Sequence, residues 1–168
     1  MRFAYADPPY VGCAAKLYGD PTFDDVGEHV SLLHRLDARF DAWAMSLHEP
    51  SLRFILPHAP SGVRVAAWVK PFCSFKPGVD PAYTWEPVIF KSARAWHPEV
   101  PTVRDFVSAS IATGRGVSGA KPPDFSRWLF ELLGARPSDE FVDLFPGSGA
   151  VSLAWDQFRG QRELAWGT

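Results

Sequence analysis

Two cysteines in 168 residues are few, and Cys13 and Cys73 stand far apart with no ligand-like spacing. That leaves no disulfide framework to build on and predicts reduced thiols in a cytoplasmic location. The five histidines (His29, His34, His48, His58 and His97) fall in no metal-ligand pattern, so no metal site is expected. No apolar run approaches the roughly eighteen residues that a membrane helix needs. The N-terminus also lacks the basic-then-apolar pattern of a secretory signal, and no membrane role is expected. Internal repeats and low-complexity tracts are missing too. What is present, 46% hydrophobic and 21% charged residues, suffices for one globular domain (1–168) with its own core.

The formal net charge of -2 hides an asymmetry. Residues 1–60 carry five Lys and Arg against eight Asp and Glu, and residues 137–168 carry two against five. The middle, 61–136, carries ten against six. A positive middle between negative ends suits a polyanion lying on one face, although so modest an excess also arises by scatter.

The opening, MRFAYADPPY, is the first informative stretch. Arg2 to Ala6 alternates and is short, which predicts a strand. Pro8 and Pro9 forbid its continuation inside a sheet, because proline has no ladder donor and a fixed φ. Carbonyl groups without sheet partners are thereby left at the strand's end, between the Asp7 carboxylate and the Tyr10 ring. A stiff turn with no further role would look the same.

Strands and helices alternate from there. Residues 11–23 read as a loop beside Tyr10, long enough to be mobile. Asp25 and Glu28 resemble a capping box for a helix running to about Arg39. Asp41–Leu47 predicts a second strand, Pro50–Leu56 a short helix, Val63–Val69 a third strand and Tyr83–Lys91 a fourth. Pro87 points to an irregular or edge position for that fourth strand. Thr102 with Asp105 could cap a helix through Ile111, followed by a glycine-rich loop. Asp124 begins an amphipathic helix whose Phe125, Trp128, Leu129, Leu132 and Leu133 form an apolar stripe, and Gly134 stops it.

A second motif closes the chain. Glu140–Phe145 is an apolar run consistent with a buried strand, and it passes through Pro146-Gly147-Ser148-Gly149 into a helix, AVSLAWDQF. Strand, glycine turn and helix N-terminus together make a cofactor cradle: glycines admit a ligand to the backbone, and unpaired helix N–H groups face it. No Gly-Lys-Ser/Thr follows, which excludes a phosphate P-loop. A dinucleotide fingerprint would need a distal acid and further βαβ units that the short tail does not supply.

Together, YADPPY and VDLFPGSGAV resemble the S-adenosylmethionine-dependent amino-methyltransferases that act on nucleic acid bases. Asp143, Phe145, Gly147 and Gly149 match the family's cofactor motif, and Asp7, Pro8, Pro9 and Tyr10 its catalytic motif. GAKPPDF (Gly119 to Phe125) looks like the segment that closes one side of the cofactor site. With the catalytic motif first, the order resembles the circularly permuted β-type DNA methyltransferases. Protein-glutamine methyltransferases share a similar motif but usually have Asn where this chain has Asp7, and place the cofactor motif first.

The resemblance implies an α/β fold: a Rossmann-like methyltransferase sheet with helices on both faces, permuted, and truncated after the cofactor motif, roughly 1-4-5-7-6 in family strand order. It divides the chain into a catalytic half (1–91), a target-recognition insert (92–118) and a cofactor-binding half (119–168). Asp7, Pro8, Pro9 and Tyr10 are then catalytic. Ala6, Asp7, Lys121, Asp143, Phe145, Pro146, Gly147, Ser148 and Gly149 hold S-adenosylmethionine, with Lys121 a partner for the cofactor carboxylate or else a solvated loop lysine. Tyr10, Arg94, Arg104 and Arg115 contact DNA, with RNA also open. The expected product is N6-methyladenine; the alternatives are N4-methylcytosine, or a weakly active relic that only binds nucleic acid. One departure stands out: the tail GQRELAWGT starts like the family's next strand but lacks its ribose-binding acid, so Glu163 is a substitute candidate and a homodimer could complete the site.

Overall fold

The computed structural model describes residues 1–72, 75, 77–94, 101–111 and 120–163, with residues 161–163 as helix backbone only. Six strands form one mixed sheet: β1 (Arg2–Ala6), β2 (Ala42–Ser46), β3 (Arg64–Val69), β4 (Trp85–Lys91), β5 (Phe106–Ser108) and β6 (Glu140–Asp143). Their order is β5-β3-β4-β2-β1-β6. β4 runs antiparallel to both neighbours, and every other pairing is parallel. The run β6-β1-β2-β4-β3 therefore reproduces the expected order 1-4-5-7-6.

Helices cover both faces. They are α1 (Ala14–Tyr18), α2 (Val26–Arg39), α3 (Leu52–Ile55), α4 (Pro123–Leu133) and α5 (Ala150–Glu163). Strand alternation sends Phe3 and Tyr5 to one face, where α4 and α5 supply Phe125, Leu129, Phe130 and Trp155. Ala4 and Ala6 point to the other, among Leu32, Leu33 and Leu36 of α2. Across the β1–β2 register, Phe3 lies beside Ala42, Ala4 beside Trp43, Tyr5 beside Ala44 and Ala6 beside Met45. Each large side chain thus abuts a small one, which fills both cores and fixes the register.

Several expectations are corrected. The segment 11–23 is not one loop: it holds α1 and a 3₁₀ turn at Thr22–Asp24, and Asp24 caps α1 from outside by accepting from the Ala14 and Ala15 N–H groups. Asp25 caps α2 through Gly27 N–H, with no capping box to Glu28. The proposed helix from Thr102 is instead strand β5 on the β3 edge, where Phe106 and Ser108 lie beside Ala67 and Val69. β-branched and aromatic residues there outweigh the capping pattern.

Pro87 lies in interior strand β4, not at an edge. Its carbonyl accepts from Leu47 N–H, and its missing donor faces the point where β2 leaves the sheet, after the Ser46–Val88 pair. Residues 160–163 of the tail continue α5, so no strand starts there, and residues 164–168 lie outside the described residues. Among the described residues no helix is long and apolar enough to cross a membrane.

Candidate active site

β1 and β6 are parallel neighbours, and the two motifs leave the sheet at their carboxyl ends, side by side. One cleft between them is lined by Tyr5, Asp7, Lys121, Asp143, Phe145 and the Pro146–Ser148 turn, with Tyr18 of α1 at its margin. Such a position, beyond strand carboxyl ends, is where open α/β sheets hold ligands.

Alternation puts Asp7 on the α4 side of the sheet, and Lys121, just before α4, meets it. The Lys121 ammonium lies 3.1 Å from Asp7 Oδ2 and 3.0 Å from Glu86 Oε2. Glu86 also pairs with Lys70, closing a chain Lys70–Glu86–Lys121–Asp7. Lys121 is buried, so the alternative of a solvated loop lysine is wrong. Burial raises the Asp7 carboxyl above the ordinary range, and Lys121 offsets only part of that. Burial would raise Glu86 too, but the Lys121 and Lys70 ammonium groups outweigh it and hold its pKa at about 2. Lys121 itself is held well above its usual value: burial opposes its charge, and Asp7 and the neighbouring acids win.

Tyr10 stacks on His48, with ring centroids 5.6 Å apart and planes 9° from parallel, and His48 meets Tyr83 edge-on at 5.0 Å. Burial raises the Tyr10 phenol well above its usual pKa, and it stays protonated. Pro8 is buried, and the Pro9 carbonyl is held by His29 Nε2 at 3.1 Å.

On the β6 side, Ser152 Oγ donates to Asp143 Oδ2 at 3.0 Å, while buried Asp143 Oδ1 has no hydrogen-bond partner. Burial raises the Asp143 pKa, and the Ser152 hydroxyl and the nearby Phe145 N–H oppose it. Gly147 and Gly149 have φ of +48° and +76°, left-handed conformations that favour glycine, and the space in front of Gly149 is open. Pro146, Gly147 and Ser148 are exposed. Ala6 is fully buried against α2, so only its backbone can reach the cleft.

Around the cleft, Asp7, Glu86 and Asp143 outnumber Lys70 and Lys121. An unpartnered carboxylate oxygen and an excess negative charge make a site for a ligand bearing cationic groups. The sulfonium and ammonium of S-adenosylmethionine fit that donor set, and the open glycine turn gives it room.

The expected DNA contacts fare differently. Arg94 lies beyond the end of β4 opposite the cleft, bonded to the Gly134 carbonyl and to both oxygens of Asp139 at 2.9 and 3.1 Å. It acts as a structural staple there, with its guanidinium already paired. Arg104 has its guanidinium 5.9 Å from the Phe106 ring and no carboxylate partner among the described residues. Arg115 lies outside the described residues. The positive middle is largely consumed internally: Arg64, Lys70, Lys91, Arg94, Lys121 and Arg127 all have carboxylate partners.

Glu86, Lys70, His29 and His48 went unseen in the sequence. Only the Glu-Pro pair in an apolar strand hinted at Glu86.

The chain superposes on a crystal structure of an M1.HpyAVI–SAM complex with a TM-score of 0.60 at 15% identity, covering 95% of this chain and 78% of that one. The fold is shared with M1.HpyAVI. A second M1.HpyAVI crystal structure matches with a TM-score of 0.58 at 14% identity, covering 95% and 76%. No protein-family model and no curated protein matches the chain.

Proposed function

We propose that the protein is an S-adenosylmethionine-dependent methyltransferase acting on an exocyclic amine of a DNA base, with adenine N6 as the target. The observation that carries this reading is the shared cleft, in which Asp7 and the Asp143–Gly149 turn open onto one space from neighbouring parallel strands. The fold shared with M1.HpyAVI, solved as a SAM complex, supports it.

When bound, the cofactor supplies an electrophilic methyl group on a sulfonium. Asp143 would accept hydrogen bonds from the cofactor ammonium, and the glycine turn would admit its chain to the backbone. The target amine is a poor nucleophile because its lone pair is delocalised into the base. Asp7 accepts a hydrogen bond from one N–H of that amine, and the Pro8 carbonyl, fixed by two prolines, accepts from the other. Tyr10 stacks on the base once it is flipped out, a contact worth roughly 1–3 kcal/mol. Positioning and electrostatics then account for most of the rate, and no enzyme nucleophile is required.

Asp at the first position of the motif, typical of the adenine enzymes that the chain resembles where cytosine-N4 enzymes usually carry Ser, is a strong acceptor for an amine proton. That favours N6-methyladenine over N4-methylcytosine. The order of motifs fits the permuted β-type arrangement. Arg104 and Arg115 are kept as phosphate contacts in the 92–118 region and Arg94 is not. A relic that binds nucleic acid alone is the second reading, and it differs in taking up no cofactor.

Calorimetric titration with S-adenosylmethionine, then a tritiated-methyl assay on DNA with mass spectrometry of digested nucleosides, tests each level. Uptake and N6-methyladenine are expected. Absence of uptake overturns the enzyme reading, and N4-methylcytosine as the main product overturns the base assignment alone.

A further inference from the structure

Glu86 has no task in the proposed reaction, although it bridges two lysines beside the cleft. It projects from β4 beside Trp68 of β3. One oxygen pairs with Lys70, and the other stands 3.0 Å from Lys121. Its carboxylate also faces the Tyr10 phenol. Lys121 in turn is boxed in, its ammonium 5.1 Å from the Trp68 ring centroid and 5.6 Å from that of Phe125, with Asp7 on its far side.

As a device for stability alone this arrangement is poor. Burying two acids and two lysines costs desolvation that apolar residues of similar size would avoid. The chain of charges ends on the residue whose acceptor strength matters most. If Lys121 paired with Asp7 alone, its whole charge would fall on that carboxylate, drawing density from the oxygens meant for the amine. A second acid on Lys121 divides the ammonium between two partners and leaves Asp7 the stronger acceptor.

We propose that Glu86 is a positioning residue that shares Lys121 with Asp7, keeping Asp7 oriented by an ion pair yet basic enough to accept the target amine. This rests on the methyltransferase reading for its purpose, but the coupling itself is a property of the free protein. The groups facing Asp7 are Lys121 ahead of α4, Glu86 on β4, Lys70 after β3, Tyr5 on β1, Tyr10 and, from β6, Asp143. Of these, Glu86 is the acid joined to Asp7 through a common ammonium.

The test is carboxylate carbon-13 NMR titration of the free protein, with Asp7 assigned through Asp7→Asn, alongside single-turnover methyl transfer and cofactor calorimetry. In Glu86→Gln the Asp7 midpoint should fall by about one pH unit. The transfer rate should drop about tenfold or more, and the acid limb of its pH profile should follow the midpoint down. Cofactor affinity should stay within about threefold, because Glu86 touches Lys121 and not the glycine turn. Glu86→Asp keeps the charge one methylene farther away and should shift the midpoint in the same direction by less, which serves if the Gln variant does not fold. An unmoved Asp7 midpoint in a folded variant overturns the proposal, as does a shifted midpoint with an undiminished rate. If the wild type neither takes up cofactor nor methylates DNA, the methyltransferase reading fails, and the midpoint still decides whether Glu86 and Asp7 are coupled.

Discussion

The Nε2 atom of His29 stands 3.1 Å from the carbonyl oxygen of Pro9, tying helix α2 to the second proline of the catalytic motif. The same imidazole receives the edge of Phe23, which meets Phe145 of the glycine turn edge-on, with centroids 5.3 and 5.2 Å apart. His29 therefore joins the two motifs through packed rings as well as anchoring one of them. In the proposed reaction it is the neighbouring Pro8 carbonyl that accepts from the substrate amine.

Replacing His29 with Ala removes a buried ring and strands that carbonyl. A loss of about 2–4 kcal/mol in denaturant-measured stability is expected, combining cavity and unsatisfied acceptor. Methyl transfer should fall by about tenfold or more in the folded variant, since the prolines lose their support. Full activity in a folded His29→Ala protein would show that the prolines hold themselves.

In the proposed reaction Asp7 accepts from the substrate amine, so Asp7→Asn should abolish methyl transfer while cofactor affinity stays within about tenfold. Its effect on stability has two parts. The Asp7 pKa is raised by burial, so its ionisation is harder in the folded chain than in the unfolded one. Such a group favours folding below its unfolded pKa, and that contribution is lost as pH rises through the folded value. A neutral amide removes that pH dependence, but it also takes from buried Lys121 one of its two carboxylate partners, so the melting temperature at pH 7 should fall. Activity has the opposite dependence, needing the carboxylate, so the acid limb of the rate profile should lie above the ordinary carboxylate range. A higher melting temperature for the variant at pH 7 contradicts this account of the site.

Much of this was legible in the sequence because the informative residues are local. Proline pairs, glycine turns and the apolar stripe of α4 act within a few positions, and their placement followed from pattern. The charge chain was not legible, since Lys70, Glu86, Lys121 and Asp7 come from separate segments and meet only through sheet order. Arg94 misled for the same reason. A lone arginine carries no mark of an acid 45 positions away, and its pairing with Asp139 depends on where β4 and β6 begin and end.

That pairing carries its own expectation. Asp139 is buried, which alone would raise its pKa, but bonds from Arg94, the terminal amine and Arg136 N–H hold it at about 2. A depressed carboxyl stabilises the fold above its unfolded pKa, and the benefit fades as pH falls from about 4 towards 2. Arg94→Ala should cost on the order of 3 kcal/mol by leaving Asp139 partly uncompensated. It should leave the salt dependence of DNA binding unchanged, whereas losing a true phosphate contact lowers the log–log slope by about 0.7–0.9. A slope reduced by that amount would return Arg94 to the binding face.

Gly149→Val should remove cofactor binding, and the structure gives the cause. A Cβ at this position meets no atom within 4 Å, so the substitution does not collide with the protein. The obstacle is the backbone: φ is +76°, where a β-branched residue is strongly disfavoured. To accept valine the turn must rotate out of the left-handed region, breaking the 2.6 Å bond from Gly149 N–H to the Pro146 carbonyl. It would also turn the N-terminus of α5 away from the cleft. Gly149→Ala suffers a milder form of the same strain, and Gly149→Asn, which tolerates the left-handed region better, should retain the most binding. Calorimetry with S-adenosylmethionine ranks the three. The expected order is Asn above Ala above Val, whereas a loss that follows side-chain volume would mean that the ligand itself fills the open space before Gly149.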